Sequence, residues 1–392
     1  MTSLETRPRP HIRPEIAALE ESGIVEVWQM GFSVPDVIGL WVGEGDLPTP
    51  RFICDAATAA LAAGETFYTY KTGIPELRRA LAAYLEGLHG CALDETRIVV
   101  TSSGMNAMML VSETIAGPGD NVVVVSPVWP NFAATLRILG AEPRPVALQG
   151  TPAGFDLDLD RLKARCDRRT RAVYLASPGN PTGWIMPPEQ QQALLAFCRE
   201  RGLWLIADEV YERFVYDGRR AAPSFLAIAE PEDPLIVVNS FSKAWAMTGW
   251  RIGWMVLPAA LEPVISKLIE YNTSGGQAFL QRGALAAVRD GEPFVAEMVE
   301  RCRIGRDLVL QRLGGMGRVR VVRPEGAFYV MFAVDGVSDM LAFAKRLVVE
   351  ARVGLAPGSA FGPGGEDYLR LCFASSAARL SEAMDRLETL LA

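Results

Sequence analysis

Short apolar runs rich in β-branched residues alternate with amphipathic stretches between about residues 98 and 256. The amphipathic stretch from Pro188 to Gly202 starts with an acidic residue and ends with arginines before a glycine, a pattern that predicts a helix. Continuously apolar strands are buried on both faces, which indicates a mostly parallel sheet between layers of helices. The runs that predict strands are residues 97–100, 121–125, 171–176, 203–207, 235–238 and 251–256.

The C-terminal part of the chain has a different pattern. A long helical stretch over residues 292–313 precedes two strand patterns, a helix near 338–351, the strand pattern of "YLRLCFA" and a final helix. We therefore predict a second, smaller α+β domain, which the N-terminal segment joins. The predicted division is an N-terminal arm with part of the small domain (1–45), a large domain (46–290) and a small C-terminal domain (291–392).

Composition and charge exclude several classes of function. The 392 residues carry a net charge of −7 without a Lys/Arg-rich run, which argues against nucleic acid as a partner. No apolar stretch has the length of a signal peptide or a membrane span, so we expect a cytoplasmic protein without a membrane partner.

Cysteine and histidine usage narrows the chemistry further. The six cysteines form no CxxC pair, and only His11 and His89 could serve as histidine bases or ligands. Disulfide frameworks, most zinc sites and serine-protease-type triads are therefore disfavoured. Proton transfer would fall to Lys, Tyr, Asp or Glu.

Three motifs follow predicted strands, and each allows an ordinary structural explanation. In "VVTSSGMNAMM", Ser103 and Gly104 begin a helix whose free N–H groups suit a phosphate, although a serine there is also an ordinary helix cap. Asp208 ends the strand of "LIADEVYERF" at the edge where open α/β sheets bind ligands, or it caps a helix. Asn180 opens "NPTG", a strong turn sequence. The chain has neither GxGxxG after a strand nor a GxxxxGK[ST] loop.

Lys243 favours the functional interpretation of these motifs. It is one of five lysines against 34 arginines, and it lies in the apolar run "SFSKAWAMTGWRIG" eight positions before Arg251. An amine in apolar surroundings near another cation has a lowered pKa and attacks carbonyls, whereas an arginine stays protonated. Together with an anion-binding helix start, a carboxylate and an asparagine, it describes a pocket for pyridoxal phosphate.

The chain resembles the fold type I, class I/II pyridoxal-phosphate aminotransferases related to aspartate aminotransferase. The resemblance covers nearly the whole chain and implies an α/β fold, with a mostly parallel seven-stranded sheet between helices and a smaller α+β domain. It also implies an obligate homodimer with shared active sites. The motifs that carry it, in chain order, are "GIPELR", "SSGMNA", "PVWP", "NPTG", "DEVY", "SFSKAWAMTGWRIG" and "YLRLCFA".

The resemblance also implies a role for each matching residue. Lys243 would form the Schiff base and move a proton, and Asp208 would keep the ring nitrogen protonated. Asn180 and Tyr211 would hydrogen-bond the ring oxygen. Trp129 would stack on the ring. Arg370 would bind the substrate α-carboxylate, although its period-2 strand pattern also allows an exposed charge. Gly43 and Asn180 complete the substrate site. The phosphate would be bound by Ser103, Gly104, Met105, Ser240, Ser242, Arg251 and, from the neighbouring subunit, Tyr68. Two cis peptides are implied, Ser126–Pro127 and Asn180–Pro181.

The chain departs from the family pattern in two places, of which the first leaves the chemistry intact and the second bears on the substrate. "GEGD" has Gly45 where the family usually has proline, and "LIEYNTSGGQAFLQ" lacks the arginine that dicarboxylate-specific members use. We therefore expect an aminotransferase that moves the amino group of a neutral, apolar or aromatic L-amino acid to a 2-oxo acid by a ping-pong mechanism. Trp28, Phe32 and Trp41 are candidate pocket walls or core residues.

Two alternatives remain. A β-eliminating C–S lyase on the same fold would need the same Lys243, Asp208 and Arg370. The effector domain of a pyridoxal-binding transcription regulator would need a DNA-binding domain, which we do not expect within the roughly 40 residues before Gly43.

Overall fold

The computed structural model describes residues 11–151 and 153–391, so the first ten residues of the predicted N-terminal arm lie outside the described part. Within the described residues, no helix combines the length and hydropathy needed to cross a bilayer. The helices are α1 (Pro14–Ala17), α2 (Gly23–Gly31), α3 (Arg51–Ala62), α4 (Pro75–His89), α5 (Gly104–Ile115), α6 (Asn131–Ile138), α7 (Leu159–Ala164), α8 (Pro188–Arg201), α9 (Glu262–Asn272), α10 (Ala278–Asp290), α11 (Glu292–Gly314), α12 (Met340–Arg346) and α13 (Ala377–Leu391).

Each of the six predicted apolar runs between residues 97 and 256 overlaps a strand of the structure, and further strands lie outside these runs. They are β1 (Ile38–Gly39), β2 (Ile98–Thr101), β3 (Asn121–Ser126), β4 (Glu142–Ala147), β5 (Gln149–Thr151), β6 (Gly154–Asp156), β7 (Thr170–Ala176), β8 (Trp204–Asp208), β9 (Leu235–Ser240), β10 (Gly253–Val256), β11 (Val319–Val322), β12 (Tyr329–Val334), β13 (Val353–Gly354), β14 (Ala356–Pro357) and β15 (Leu369–Cys372).

A seven-stranded sheet in the order β2-β10-β9-β8-β7-β3-β4 forms the centre of the fold. Strand β10 runs antiparallel to both neighbours and the other pairs are parallel, which confirms the predicted mostly parallel α/β sheet. Successive valines of β3 enter opposite cores, with Val123 and Val125 in one and Val122 and Val124 in the other. Both faces of the sheet are therefore covered, as continuously apolar strands require.

Edge strand β4 was missed by the pattern of apolar runs. Its sequence "EPRPVA" contains Pro143 and Pro145, which cannot donate ladder hydrogen bonds and weaken any strand prediction. Among the described residues, this strand pairs only with β3 within the sheet, so proline is tolerated at its outer side.

A second sheet, β11-β12-β15-β14, is antiparallel and belongs to a separate core to which α11 and α13 contribute. The helix predicted near 338–351 is present as α12, continued by a π-helical segment from Leu347 to Ala351. Residues of the N-terminal segment join this core, because Ile38 pairs with Val353 and Trp41 packs there. The division at residues 45 and 290 remains a prediction.

Candidate active site

A cavity of about 260 Å³ opens where several strands of the large sheet end. Most of the predicted site residues line it, namely Gly43, Gly104, Met105, Trp129, Asn180, Asp208, Tyr211, Ser240, Ser242, Lys243 and Arg251. Val42, Glu44, Met108, Ala176, Val210, Thr248 and Tyr329 line it as well. These residues come from segments far apart in sequence, and the sheet brings them to one edge, as expected for a ligand site in an α/β fold.

Lys243 lies in the segment after β9, and its ammonium Nζ donates to the backbone oxygen of Gly43 at 2.6 Å. Burial lowers the pKa of Lys243 to about 8, and the charges of Arg370 and Arg251 act in the same direction, while Glu44 opposes them. At neutral pH a useful fraction of this amine is therefore unprotonated and nucleophilic.

Asp208 is the last residue of β8 and is buried. Its Oδ1 accepts from the backbone N–H of Val210 at 3.2 Å, and its Oδ2 accepts from the Tyr174 hydroxyl at 3.1 Å. Burial raises the pKa of Asp208 to about 6, although both hydrogen bonds and the charge of Lys243 oppose the rise. A cationic group entering the cavity would stabilise this carboxylate as an anion.

An anion-binding corner forms where helix α5 begins. The hydroxyls of Ser240 and Ser242 are 2.8 Å apart, and Arg251 also faces the cavity. Residue 253 must be glycine, because a Cβ there would lie 2.6 Å from the N–H nitrogen of Gly104. Hydroxyls, a helix N-terminus and a guanidinium together suit a phosphate group.

Ser103 contacts the first turn of its own helix, whereas its predicted role was to bind a phosphate. Its hydroxyl accepts from the backbone N–H of Asn106 at 3.0 Å and so caps helix α5, and it is not among the residues that line the cavity. The ordinary cap weighed from the sequence is therefore present. A direct contact of Ser103 with a phosphate remains a prediction.

Arg370 is fully buried in β15, so the alternative of an exposed charge on a strand is wrong. Its Nη1 donates to Oδ1 of Asn180 at 2.9 Å and its Nη2 to the backbone oxygen of Trp41. The guanidinium lies 4.5 Å from the Tyr329 ring centre and 4.8 Å from that of Phe361. Its Nε has no hydrogen-bond partner among the described residues. Arg370 itself is not among the residues that line the cavity, so its contact with a substrate carboxylate remains a prediction.

Tyr211 and Tyr329 form the wall beside this arginine. Their hydroxyls are 2.6 Å apart, and burial raises the pKa of both. Gly43 has no room for a side chain, because a Cβ would overlap the Tyr329 hydroxyl. The backbone at residue 43 therefore closely approaches both this tyrosine and Lys243.

Trp129 and Tyr68, two further predicted site residues, differ in their position relative to the cavity. Trp129 is partly buried at the cavity wall, whereas the Tyr68 side chain is 93% exposed and does not line the cavity of its own chain. The cis peptides at Ser126–Pro127 and Asn180–Pro181 are present, with a third at Ser177–Pro178.

Of the aromatic candidates for pocket walls, Trp41 is a core residue, and Trp28 and Phe32 form an exposed edge-to-face pair.

Glu209 and Glu212, which come shortly after Asp208 in the sequence, belong to buried hydrogen bonds that were not predicted. His89 Nε2 lies 2.8 Å from Oε2 of Glu212, whose Oε1 accepts from the amide of Asn239 at 2.8 Å. Glu209 accepts from the Ser224 hydroxyl at 2.6 Å. Burial alone would lower the pKa of His89, but the hydrogen bond and charge of Glu212 outweigh it and raise the pKa. The network thus favours a charged histidine inside the protein.

Sequence reasoning also missed Tyr174 and Tyr329, since both lie within apolar runs that predict core strands. The only available signal was a hydroxyl-bearing side chain in a strand that leads to the site. Neither hydroxyl could be assigned a partner without the strand register, because Tyr174 meets Asp208 across 34 residues and Tyr329 meets Tyr211 across 118.

Comparisons with known proteins agree with this geometry. The family model for aminotransferase class I and II matches residues 35–387. A probable aspartate/prephenate aminotransferase of Aquifex aeolicus is 36% identical over 91% of both chains. A mutant aspartate aminotransferase structure from Thermus thermophilus has a TM-score of 0.90 at 33% identity, covering 98% of this chain and 100% of that one. An aromatic aminotransferase structure from Pyrococcus horikoshii has a TM-score of 0.85 at 34% identity, covering 94% and 98%.

Proposed function

The chain belongs to the class I and II aminotransferases, enzymes that depend on pyridoxal phosphate, and from this premise we propose its substrates and the roles of its residues. The proposed reaction moves the amino group of a neutral, apolar or aromatic L-amino acid to a 2-oxo acid by a ping-pong mechanism. The observation that carries the proposal is the convergence of Lys243, Asp208 and the start of helix α5 on one cavity.

The residues of the cavity fit pyridoxal phosphate. The close approach of Gly253 to Gly104 leaves the N-terminus of α5 open beside the Ser240 and Ser242 hydroxyls, where the phosphate would bind with Arg251. The buried carboxylate of Asp208, which also lines the cavity, matches a ring nitrogen that carries a proton.

When bound, the cofactor supplies an aldehyde that takes up the amino group and a ring that accepts the electron pair left by the Cα proton. Lys243 would hold the aldehyde group of the cofactor and would carry that proton, because its lowered pKa leaves part of the amine neutral. Tyr211 and Asn180 would donate hydrogen bonds to the ring oxygen. Arg370 would orient the substrate α-carboxylate.

The expected side-chain preference rests on the cavity lining. Among the described residues, the only cationic side chains that line the cavity are Lys243 and Arg251, which the proposal assigns to the cofactor. Glu44 adds a negative charge at the wall, which disfavours a second substrate carboxylate. The lining side chains that the proposal does not assign to the cofactor include the apolar Val42, Met108 and Val210.

Initial rates with a panel of amino donors, each with pyruvate and with 2-oxoglutarate, test this proposal. We expect kcat/KM for leucine, methionine or phenylalanine to exceed that for aspartate, and parallel lines in double-reciprocal plots with varied donor and acceptor. Dominant aspartate turnover would refute the substrate class, and intersecting lines would refute the ping-pong order. Repeated release of pyruvate and ammonia from cystathionine without an acceptor would favour the C–S lyase instead.

The proposed homodimer is supported by a run of exposed aromatic residues that includes Tyr68. Phe67, Tyr68 and Tyr70 are 85%, 93% and 63% exposed, and exposed apolar residues that are grouped on a surface are typical of an interface. We propose that Tyr68 completes the phosphate site of the partner subunit in a cytoplasmic dimer.

We expect the Lys243→Ala and Tyr68→Ala proteins each to have little activity, and mixing them by denaturation and refolding tests this sharing. A mixed dimer would contain one site with both native residues, so activity should reappear in the mixture. Absence of recovery, with mixed dimers demonstrated by differently tagged chains, would refute a shared site.

A further inference from the structure

Tyr174 extends along the sheet beneath the cavity. It lies on β7, two residues before Ala176, which pairs with Asp208 of β8 and lines the cavity. Alternate residues of a strand share one face, and two residues span about 6.6 Å along it. A tyrosine side chain is long enough to cover that distance, so the phenol on residue 174 can reach the carboxylate at the end of the next strand.

The contact between them is buried. The Tyr174 hydroxyl donates to Oδ2 of Asp208 at 3.1 Å, and Tyr174 is fully buried. Among the described residues, it is the only side chain that donates a hydrogen bond to Asp208, since the other donor is the backbone N–H of Val210. Burial and the Asp208 charge raise the pKa of Tyr174 well above its usual value, so the phenol remains a donor at physiological pH.

The phenol ring is held in place by its neighbour. The Phe132 ring of α6 stacks on it with centres 3.9 Å apart and an interplanar angle of 12°. Phe132 is itself fully buried and follows Trp129, which lines the cavity, by three residues. A packed ring that ends in a hydroxyl loses little freedom when it makes its hydrogen bond, which suits a positioning role.

We propose that Tyr174 is a positioning residue whose hydroxyl holds the Asp208 carboxylate as an anion available to the ring nitrogen of bound pyridoxal phosphate. This inference rests on the proposed role of Asp208. A hydroxyl donor stabilises the ionised carboxylate over the protonated acid, and an ionised carboxylate in turn stabilises a protonated pyridine nitrogen. Within the described part of the chain, the other charged or titratable groups that act on Asp208 are the Lys243 amine and the Tyr211 phenol.

Tyr174→Phe tests the proposal, because it removes one oxygen atom and keeps the ring that stacks on Phe132. The apoprotein would be titrated with pyridoxal phosphate and with its deaza analogue, in which a C–H group replaces the ring nitrogen. We expect about tenfold weaker binding of pyridoxal phosphate, the usual effect of losing a hydrogen bond to a charged group, and unchanged binding of the analogue. In the holoenzyme, kcat should fall while KM for the amino acid stays constant.

Two matched variants make the result interpretable. Tyr84→Phe removes a hydroxyl that contacts Arg213 outside the cavity, and it should leave the affinity ratio of the two ligands unchanged. Asp208→Asn should abolish the preference for the ring nitrogen. If Asp208→Asn abolishes that preference and Tyr174→Phe retains the wild-type ratio, the inference about Tyr174 is overturned. If Asp208→Asn also retains the wild-type ratio, the proposed role of Asp208 is wrong.

Spectroscopy supplies a readout that a merely structural role would not change. With pyridoxal phosphate labelled with ¹⁵N, the ring nitrogen of Tyr174→Phe should lose its proton at lower pH than that of the wild-type holoenzyme. Identical titration curves for the two proteins would contradict the proposal.

Discussion

Replacing Lys243 by methionine isolates the effect of burying its amine. Burial lowers the pKa of Lys243 from 10.5 to about 8, and each pKa unit corresponds to about 1.4 kcal/mol. The ammonium form is thus disfavoured by at most about 3.5 kcal/mol, an upper value because the side chain is partly exposed and water screens its charge. At pH 7 about one amine in ten is neutral, against about one in three thousand at the unshifted pKa.

Titration of the apoprotein by NMR measures this pKa directly. The chain has only five lysines, so selective ¹³C-lysine labelling gives few signals, and Lys243→Met identifies the one from Lys243. We expect its side-chain signals to titrate with a midpoint near pH 8. A midpoint above about 10, the value of a solvated lysine, would refute the argument that burial activates the amine.

The same shift predicts how stability depends on pH. Because the folded pKa lies below the unfolded value, the unfolded chain binds more protons between about pH 8 and 10.5, and wild-type stability rises with pH across that window. Lys243→Met lacks this term, so its stability gain should be largest below pH 8 and decline toward pH 10.5. Urea unfolding of both apoproteins at several pH values measures the difference. A difference that does not vary with pH would contradict the linkage.

Three other substitutions test two residues of the site and the buried network of His89. Arg370→Lys should lower kcat/KM for the best donor by about 100-fold, because an ammonium cannot bind a carboxylate with two parallel bonds; steady-state kinetics that match wild type would exclude Arg370 from substrate binding. Gly43→Ala forces a Cβ into the Tyr329 hydroxyl and should abolish most turnover. Gly45→Ala serves as the control, because its Cβ would meet the nearest atom at 3.5 Å. Equal activities of the two variants would refute the close approach of residue 43 to Tyr329. His89→Gln should lower the free energy of unfolding by roughly 2 kcal/mol at pH 5.5 and by less at pH 9. The reason is that a histidine with a raised pKa in the folded protein stabilises it below the unfolded pKa, and this contribution is lost as pH rises through the folded pKa. An equal loss at both pH values in urea unfolding would contradict the charged pair.

The strands of the sheet could be predicted from sequence wherever their apolar runs were continuous. Strand β3 is an example, since its valines enter cores on both faces of the sheet. Strand β4 could not be predicted, because its prolines remove the signal and only its position at an edge makes them acceptable. Edge position is a property of the assembled sheet, so a local pattern does not contain it.

Some residues of the site could also be predicted from sequence, and others could not. Lys243, Asp208 and Asn180 stand in short motifs, so the order of residues along the chain is enough to make them candidates. The burial of Arg370 could not be predicted, because a period-2 pattern on β15 is equally compatible with an outward charge. The Tyr329 and Phe361 rings that lie against this arginine come from other segments. Similarly, the Tyr174 contact with Asp208 depends on the register of β7 against β8.

The most direct test of the central claim is a half-reaction on the holoenzyme. Adding a neutral L-amino acid without an oxo acid should abolish the yellow cofactor absorbance and yield one equivalent of 2-oxo acid per subunit. Adding 2-oxoglutarate or pyruvate afterwards should restore the absorbance, and Lys243→Ala should do neither. An aminotransferase acting through Lys243 predicts this stoichiometric cycle. Continuous release of ammonia, or full turnover by Lys243→Ala, would contradict it.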